Sequence, residues 1–124
     1  MINTTSKAIK TIREATEDQL KGTMIGLMSR IIKETPVDEG RAKGNWQITI
    51  GSPAGGELDR KDKNGSAAIN DGVATINRFQ FGDSVYMSNN LPYIMRLEMG
   101  SSEQAPEGMV RRNIQVTIQE LQKK

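Results

Sequence analysis

The sequence predicts an α+β fold: a long N-terminal helix and a C-terminal helix packed on a small antiparallel sheet, with a long flexible loop. Three observations predict it. Apolar residues recur at three- and four-residue gaps from Ala8 to Ile31 and again from Val110 to Leu121, the rhythm of one helix face. Two short stretches alternate apolar and polar residues, Trp46–Ile50 and Ser84–Ser88, as half-buried strands do. Between the strands lies a Gly- and charge-rich run, Gly51–Gly65.

The first helix is expected over about 6–34. Thr4, Thr5 and Ser6 offer N-cap oxygens, and Thr35 before Pro36 is driven out of helical geometry. Such a helix would span roughly 43 Å at about 1.5 Å per residue, long enough for one end to overhang the core. Gly22 and Gly26 lie four apart within it. They mark either tolerated weakness and close packing on the chain's own sheet, or the approach of another subunit. Thr35–Asn45 reads as a turn-rich connector, with Asp38 and Gly40 suited to a tight turn. Trp46, the sole tryptophan, is the expected core anchor.

Residues 51–65 hold nothing that can pack, and are expected to be a solvated, mobile loop or an arm that orders against a partner. Ser66–Phe79 has helical spacing, weakened by Asp71 and Gly72. Gly82–Asp83 is a turn. The last helix is expected from about Pro106 to Leu121, with Pro106 in the first helical position and Val110, Ile114, Thr117 and Leu121 as its buried stripe. A length of 124 residues suits one domain, 1–124.

Composition excludes several chemistries. The chain has no His and no Cys, so Cys/His zinc sites, disulfides and Ser-His-Asp triads are ruled out. Gly82-Asp83-Ser84-Val85 is similar to the GDS block of one esterase group, but a nucleophilic Ser84 would need a base that nothing in the sequence marks. Asp59 and Asp62 sit among Arg60, Lys61 and Lys63, which would repel a metal. Residues 51–57 lack the Lys-Ser/Thr of a phosphate loop. No catalytic residue, metal or cofactor is expected. A net charge of +2 is too small to imply an electrostatic nucleic-acid binder. No apolar run approaches the roughly 20 residues of a membrane span, and MINTTSKAIK lacks the apolar core of a secretory leader.

The stretch 89–111 is the most tightly specified. Asn89 and Asn90 tolerate the left-handed turn that ends a strand, Gly100 suits a helix C′ position, and Pro92 and Pro106 start new elements. Arg96 and Glu98 are expected to project as a charged pair. The start of the last helix is either an anion site beside Arg111 and Arg112 or self-capped by Glu107 or the Ser101/Ser102 hydroxyls. Residues that punctuate without converging on a reactive group suggest a mating surface. Its candidate residues are Asn89, Asn90, Tyr93, Arg96, Glu98, Gln104, Met109 and Arg111.

Three blocks carry a family resemblance. Thr35-Pro36-Val37-Asp38-x-Gly40-Arg41 followed by Gly44-Asn45-Trp46, then Val85–Tyr93 (VYMSNNLPY), then Leu97–Ser101 with Gln104-Ala105-Pro106-x-Gly108-Met109-Val110-Arg111 resemble, in order and spacing, the tail-completion and neck (head–tail joining) proteins of long-tailed bacteriophages. Glu39 stands where that family usually has Thr, and Ile94 where it has a small residue. The resemblance implies an α+β fold, no enzymatic activity, and a virion structural protein at the head–tail junction or head-proximal tail end, present in the host cytoplasm during assembly. It implies a homo-oligomeric ring contacting neighbouring neck, tail-terminator or tail-tube proteins, with genomic DNA passing through the channel without sequence-specific binding. No membrane partner is implied. A tail terminator or head-closure protein, or a small nucleic-acid-binding module, are the alternative readings.

Overall fold

The computed structural model describes residues 3–100, 102–105 and 107–123. The fold is α+β: six helices and one two-stranded antiparallel sheet among the described residues. In chain order these are α1 (Asn3–Glu14), α2 (Glu17–Glu34), α3 (Arg41–Gly44), β1 (Gln47–Ile50), α4 (Ser66–Ile76), β2 (Val85–Ser88), α5 (Ile94–Glu98) and α6 (Val110–Gln122).

The single long helix expected over 6–34 is instead two helices. Thr16 leaves helical geometry and caps α2, accepting from the Gln19 N–H at 3.1 Å, while the Gln19 side chain accepts from the Thr16 N–H at 2.9 Å. This reciprocal capping box satisfies two helix-start donors, and Glu17 and Asp18 complement the positive end of the helix. The break lets α1 leave the α2 axis and pack along α6. There Ala8 is buried, and the Thr11 hydroxyl donates to the Leu121 carbonyl at 3.2 Å.

The core sits between α2, the sheet, α4 and the start of α6. Met28, Ile31, Ile32, Trp46, Ala68, Ile76 and Met109 form its buried cluster. Trp46 is the anchor the sequence predicts. Its indole N–H donates to Thr35 Oγ1 at 2.8 Å, and that hydroxyl donates onward to the Ile31 carbonyl at 2.7 Å. The residue that ends α2 therefore also satisfies the polar edge of the tryptophan. Gly72, which weakens the helical reading of 66–79, is a close-approach position. A Cβ there would lie 2.1 Å from Met28 Sδ and 3.0 Å from Ile48 Cγ1, so its absence lets α4 lie on α2 and β1.

β1 and β2 pair with Gln47 opposite Ser88 and Ile50 opposite Val85. The expectation that nothing in 51–65 can pack is corrected. The segment has no regular structure apart from its turns, yet its second half is tied to the body. Leu58 exchanges two backbone bonds with the Asn45 side chain, at 2.6 and 3.0 Å, and Arg60 donates to the Gly44 carbonyl at 2.8 Å. Asp62 is buried, accepts from the Ala68 N–H at 2.9 Å, and donates its own N–H to the Gly40 carbonyl. Fixed polar partners replace the apolar contacts this segment lacks.

α6 begins at Val110, later than the predicted Pro106, which lies outside the described residues. Its buried positions are Asn113, Thr117 and Leu121. Ile114, placed in the buried stripe by spacing, is 42% exposed. Asn113 takes the inward place, with its amide donating to the Met109 carbonyl at 2.7 Å and its Oδ1 buried without a partner among the described residues.

Candidate functional site

The three sequence blocks, far apart along the chain, are hydrogen-bonded to one another. Gln104 clasps Val37 from both sides: its Oε1 accepts from the Val37 N–H at 2.7 Å and its Nε2 donates to the Val37 carbonyl at 3.0 Å. Asn89 reaches from the end of β2 to donate to the Ala42 carbonyl at 2.9 Å, and its Oδ1 accepts from the Leu91 N–H. The connector 35–44 thus has the strand-end turn bonded at one point and the loop before α6 at another. Between them lies a cleft of about 190 Å³ lined by Pro36, Val37, Arg41, Tyr93, Leu97 and Gln104, among others. A neighbouring cleft of about 410 Å³ is lined by Lys33, Thr35, Lys43, Glu107 and Arg112, among others.

Of the eight predicted surface residues, Asn90, Arg96, Gln104 and Arg111 are exposed, and Asn89 and Tyr93 half-buried. Asn90 donates to the Ala54 and Gly56 carbonyls at 3.0 and 3.1 Å, holding the loop against the end of the sheet. Two of the eight are corrected. Met109 is 0% exposed and belongs to the core cluster, so within this chain it cannot meet a neighbour. Glu98 is 8% exposed and does not project beside Arg96.

Glu98 caps α6. Its Oε1 accepts from the N–H groups of Met109 and Val110 at 3.0 and 2.8 Å, and its Oε2 from the Arg111 N–H at 3.0 Å. Arg111 closes the arrangement, donating Nε to Oε2 at 2.9 Å and Nη2 to the Glu98 carbonyl at 2.7 Å. A carboxylate here satisfies free helix-start donors and meets the positive helix end. Burial pushes the Glu98 carboxyl up, but the three backbone donors and the Arg111 guanidinium outweigh it, so the group sits below its ordinary value of 4.5. This one side chain, fixed from α5, stands where an anion site or a self-cap by Glu107 or Ser102 is expected; Ser101 lies outside the described residues. Gly108 permits the approach: a Cβ there would meet the Glu98 carbonyl oxygen at 2.2 Å.

Lys43 was not singled out by the sequence. It is buried, donates to the Lys33 carbonyl at 2.8 Å, and so satisfies a carbonyl of the last turn of α2. Burial lowers its pKa, opposed by the charge of Asp62. Its position in α3, one residue after buried Ala42, offers no periodic signal. Ser84 is exposed in the turn before β2, with its carbonyl accepting from the Gly51 N–H. Among the described residues no group of three or more carboxylates is placed to hold a metal, and no helix is long and apolar enough to cross a membrane. No protein-family model matches the chain, and no curated protein or solved structure matches it.

Proposed function

We propose that this chain is a virion structural protein of a long-tailed bacteriophage, at the head–tail junction or head-proximal tail end. Copies assemble as a ring that joins or completes the tail and lets DNA pass. The observation that carries this reading is the three-block resemblance, in family order and spacing. Its support from geometry is that the blocks bond to one another through Gln104–Val37 and Asn89–Ala42. Segments joined in this way form one shaped surface, which a ring needs because each subunit must offer unlike patches to its two neighbours.

The outward members of that surface are Asn90, Tyr93, Arg96, Gln104 and Arg111, with Glu98 and Met109 as its internal supports. The chain acts by shape, on copies of itself and on adjoining neck, tail-terminator or tail-tube proteins, and passes DNA without reading its sequence.

Electron cryomicroscopy of particles assembled with and without the chain tests this. The expected result is a ring of copies around the axis at the junction, and particles lacking joined, DNA-retaining tails when the chain is absent. Complete, infectious particles made without it would overturn the reading.

A further inference from the structure

A sheet of two strands has two free edges, and the register of this one tells which backbone groups face outward. Gly51 donates to the Ser84 carbonyl at 2.9 Å, which makes Gly51 and Ser84 a hydrogen-bonded pair. Such pairs alternate along an antiparallel ladder, so the next ones are Thr49–Tyr86 and Gln47–Ser88. Val85 and Met87 therefore turn their N–H and C=O groups away from β1. Among the described residues no loop or side chain bonds to those groups. Among the elements β2 has β1 as its one substantial neighbour, while α4 packs on β1 with Gly72 against the Ile48 side chain. Exposed edges are commonly defended by Lys, Pro or a bulge, and Val85-Tyr86-Met87-Ser88 contains no charge, proline or glycine.

We propose that the outer edge of β2 pairs antiparallel with β2 of a second copy, across a two-fold axis, doubling the sheet. The register favours self-pairing. Pairing both outward residues of each copy with each other sets Val85 opposite Met87 of the second copy, which puts the axis at Tyr86. The two Tyr86 residues then face each other as a non-hydrogen-bonded pair, the closer kind, and aromatic cross-strand pairs are stabilising. Tyr86 is 36% exposed in the single chain, so its ring has surface left to bury. Neither strand carries a charge, so no like charges are opposed. Phe81, 60% exposed, lies just before β2, on the flank that the second copy's chain reaches after its own Ser88. This pairing is independent of the virion reading, because it belongs to the isolated chain.

The chain has no cysteine, so Tyr86→Cys installs a single thiol. Non-hydrogen-bonded partners about 4.5 Å apart at Cα fall within the range a disulfide spans. Under oxidised glutathione, the purified Tyr86→Cys chain should form a disulfide-linked dimer roughly tenfold or more faster than a Gln119→Cys chain, whose thiol sits on exposed α6. In sedimentation equilibrium the unmodified chain should show a dimer that grows with concentration. Tyr86→Lys should raise its dissociation constant about tenfold while the circular dichroism spectrum stays unchanged. A chain monomeric up to about 1 mM, cross-linking no faster at 86 than at 119, or an oligomer indifferent to Tyr86→Lys would each overturn the proposal. Should Tyr86→Cys fail to fold, the concentration series of the unmodified chain decides alone.

Discussion

Glu98 ties two helices together with one buried carboxylate. It bonds three backbone N–H groups and one guanidinium, and so joins α5 to α6. Glu98→Gln removes the charge and replaces one acceptor oxygen with a donor. It should cost about 1–3 kcal/mol of stability in urea unfolding. The sign of the pH effect follows from the lowered folded-state pKa. The unfolded chain binds the proton more readily, so this contribution is fully present above the ordinary value of 4.5 and fades as pH falls through the lower, folded-state value. Between neutral pH and pH 3 the parent chain should lose more stability than Glu98→Gln does, measured by urea titration at each pH. Equal losses would show that the carboxylate's ionisation contributes nothing.

Two glycines make a paired test at the same scale. Gly72 faces Met28 and Ile48 at distances that leave no room for a methyl group. Gly72→Ala should therefore destabilise by about 1–3 kcal/mol. Gly22 has nothing within 4 Å of an added Cβ, so packing within the chain does not require it. Gly22→Ala should stabilise the isolated chain by up to about 1 kcal/mol, read as a raised thermal midpoint.

Among the elements, the division of the N-terminal segment into α1 and α2 matters most. Thr16 and Gln19 start a new helix where the apolar rhythm alone runs on. The signal is visible in Thr16-Glu17-Asp18-Gln19, a capping box hidden inside a periodic stretch. Periodicity reports which face is buried and is blind to a break that preserves the face. Thr16→Ala should cost about 1 kcal/mol, measured by thermal unfolding. The segment 51–65 teaches the converse. Its composition is that of a solvated loop, but Asn45, Arg60 and Asp62 hold it through backbone hydrogen bonds. Such bonds depend on which carbonyls happen to lie nearby, and sequence spacing does not encode that.

For the whole molecule, the surface formed by the three blocks separates assembly from folding. Tyr93 lines the cleft beside Pro36 and Val37, and Arg96 is exposed with no ion-pair partner among the described residues. A Tyr93→Ala, Arg96→Ala double variant should stay folded by circular dichroism and lose incorporation into particles. Arg111→Ala differs, since Arg111 braces Glu98: it should lower stability as well as assembly. A double variant that unfolds would assign Tyr93 and Arg96 to the core of the fold instead.

The sequence by itself determined the α+β class, both strands, the Trp46 anchor, the end of α2 at Thr35 and the absence of Cys and His chemistry. Each is set by residues that are neighbours along the chain, or by residues that are missing from it. Only the tertiary structure decided that Glu98 turns inward to cap α6, that Met109 is core, that Asn113 displaces Ile114 from the buried face, and that Gln104 clasps Val37. The Glu98 cap and the Gln104 clasp depend on which distant donors and acceptors meet, and the burial of Met109 and Asn113 on which parts of the chain pack over them. Those partners come together only once the chain has folded.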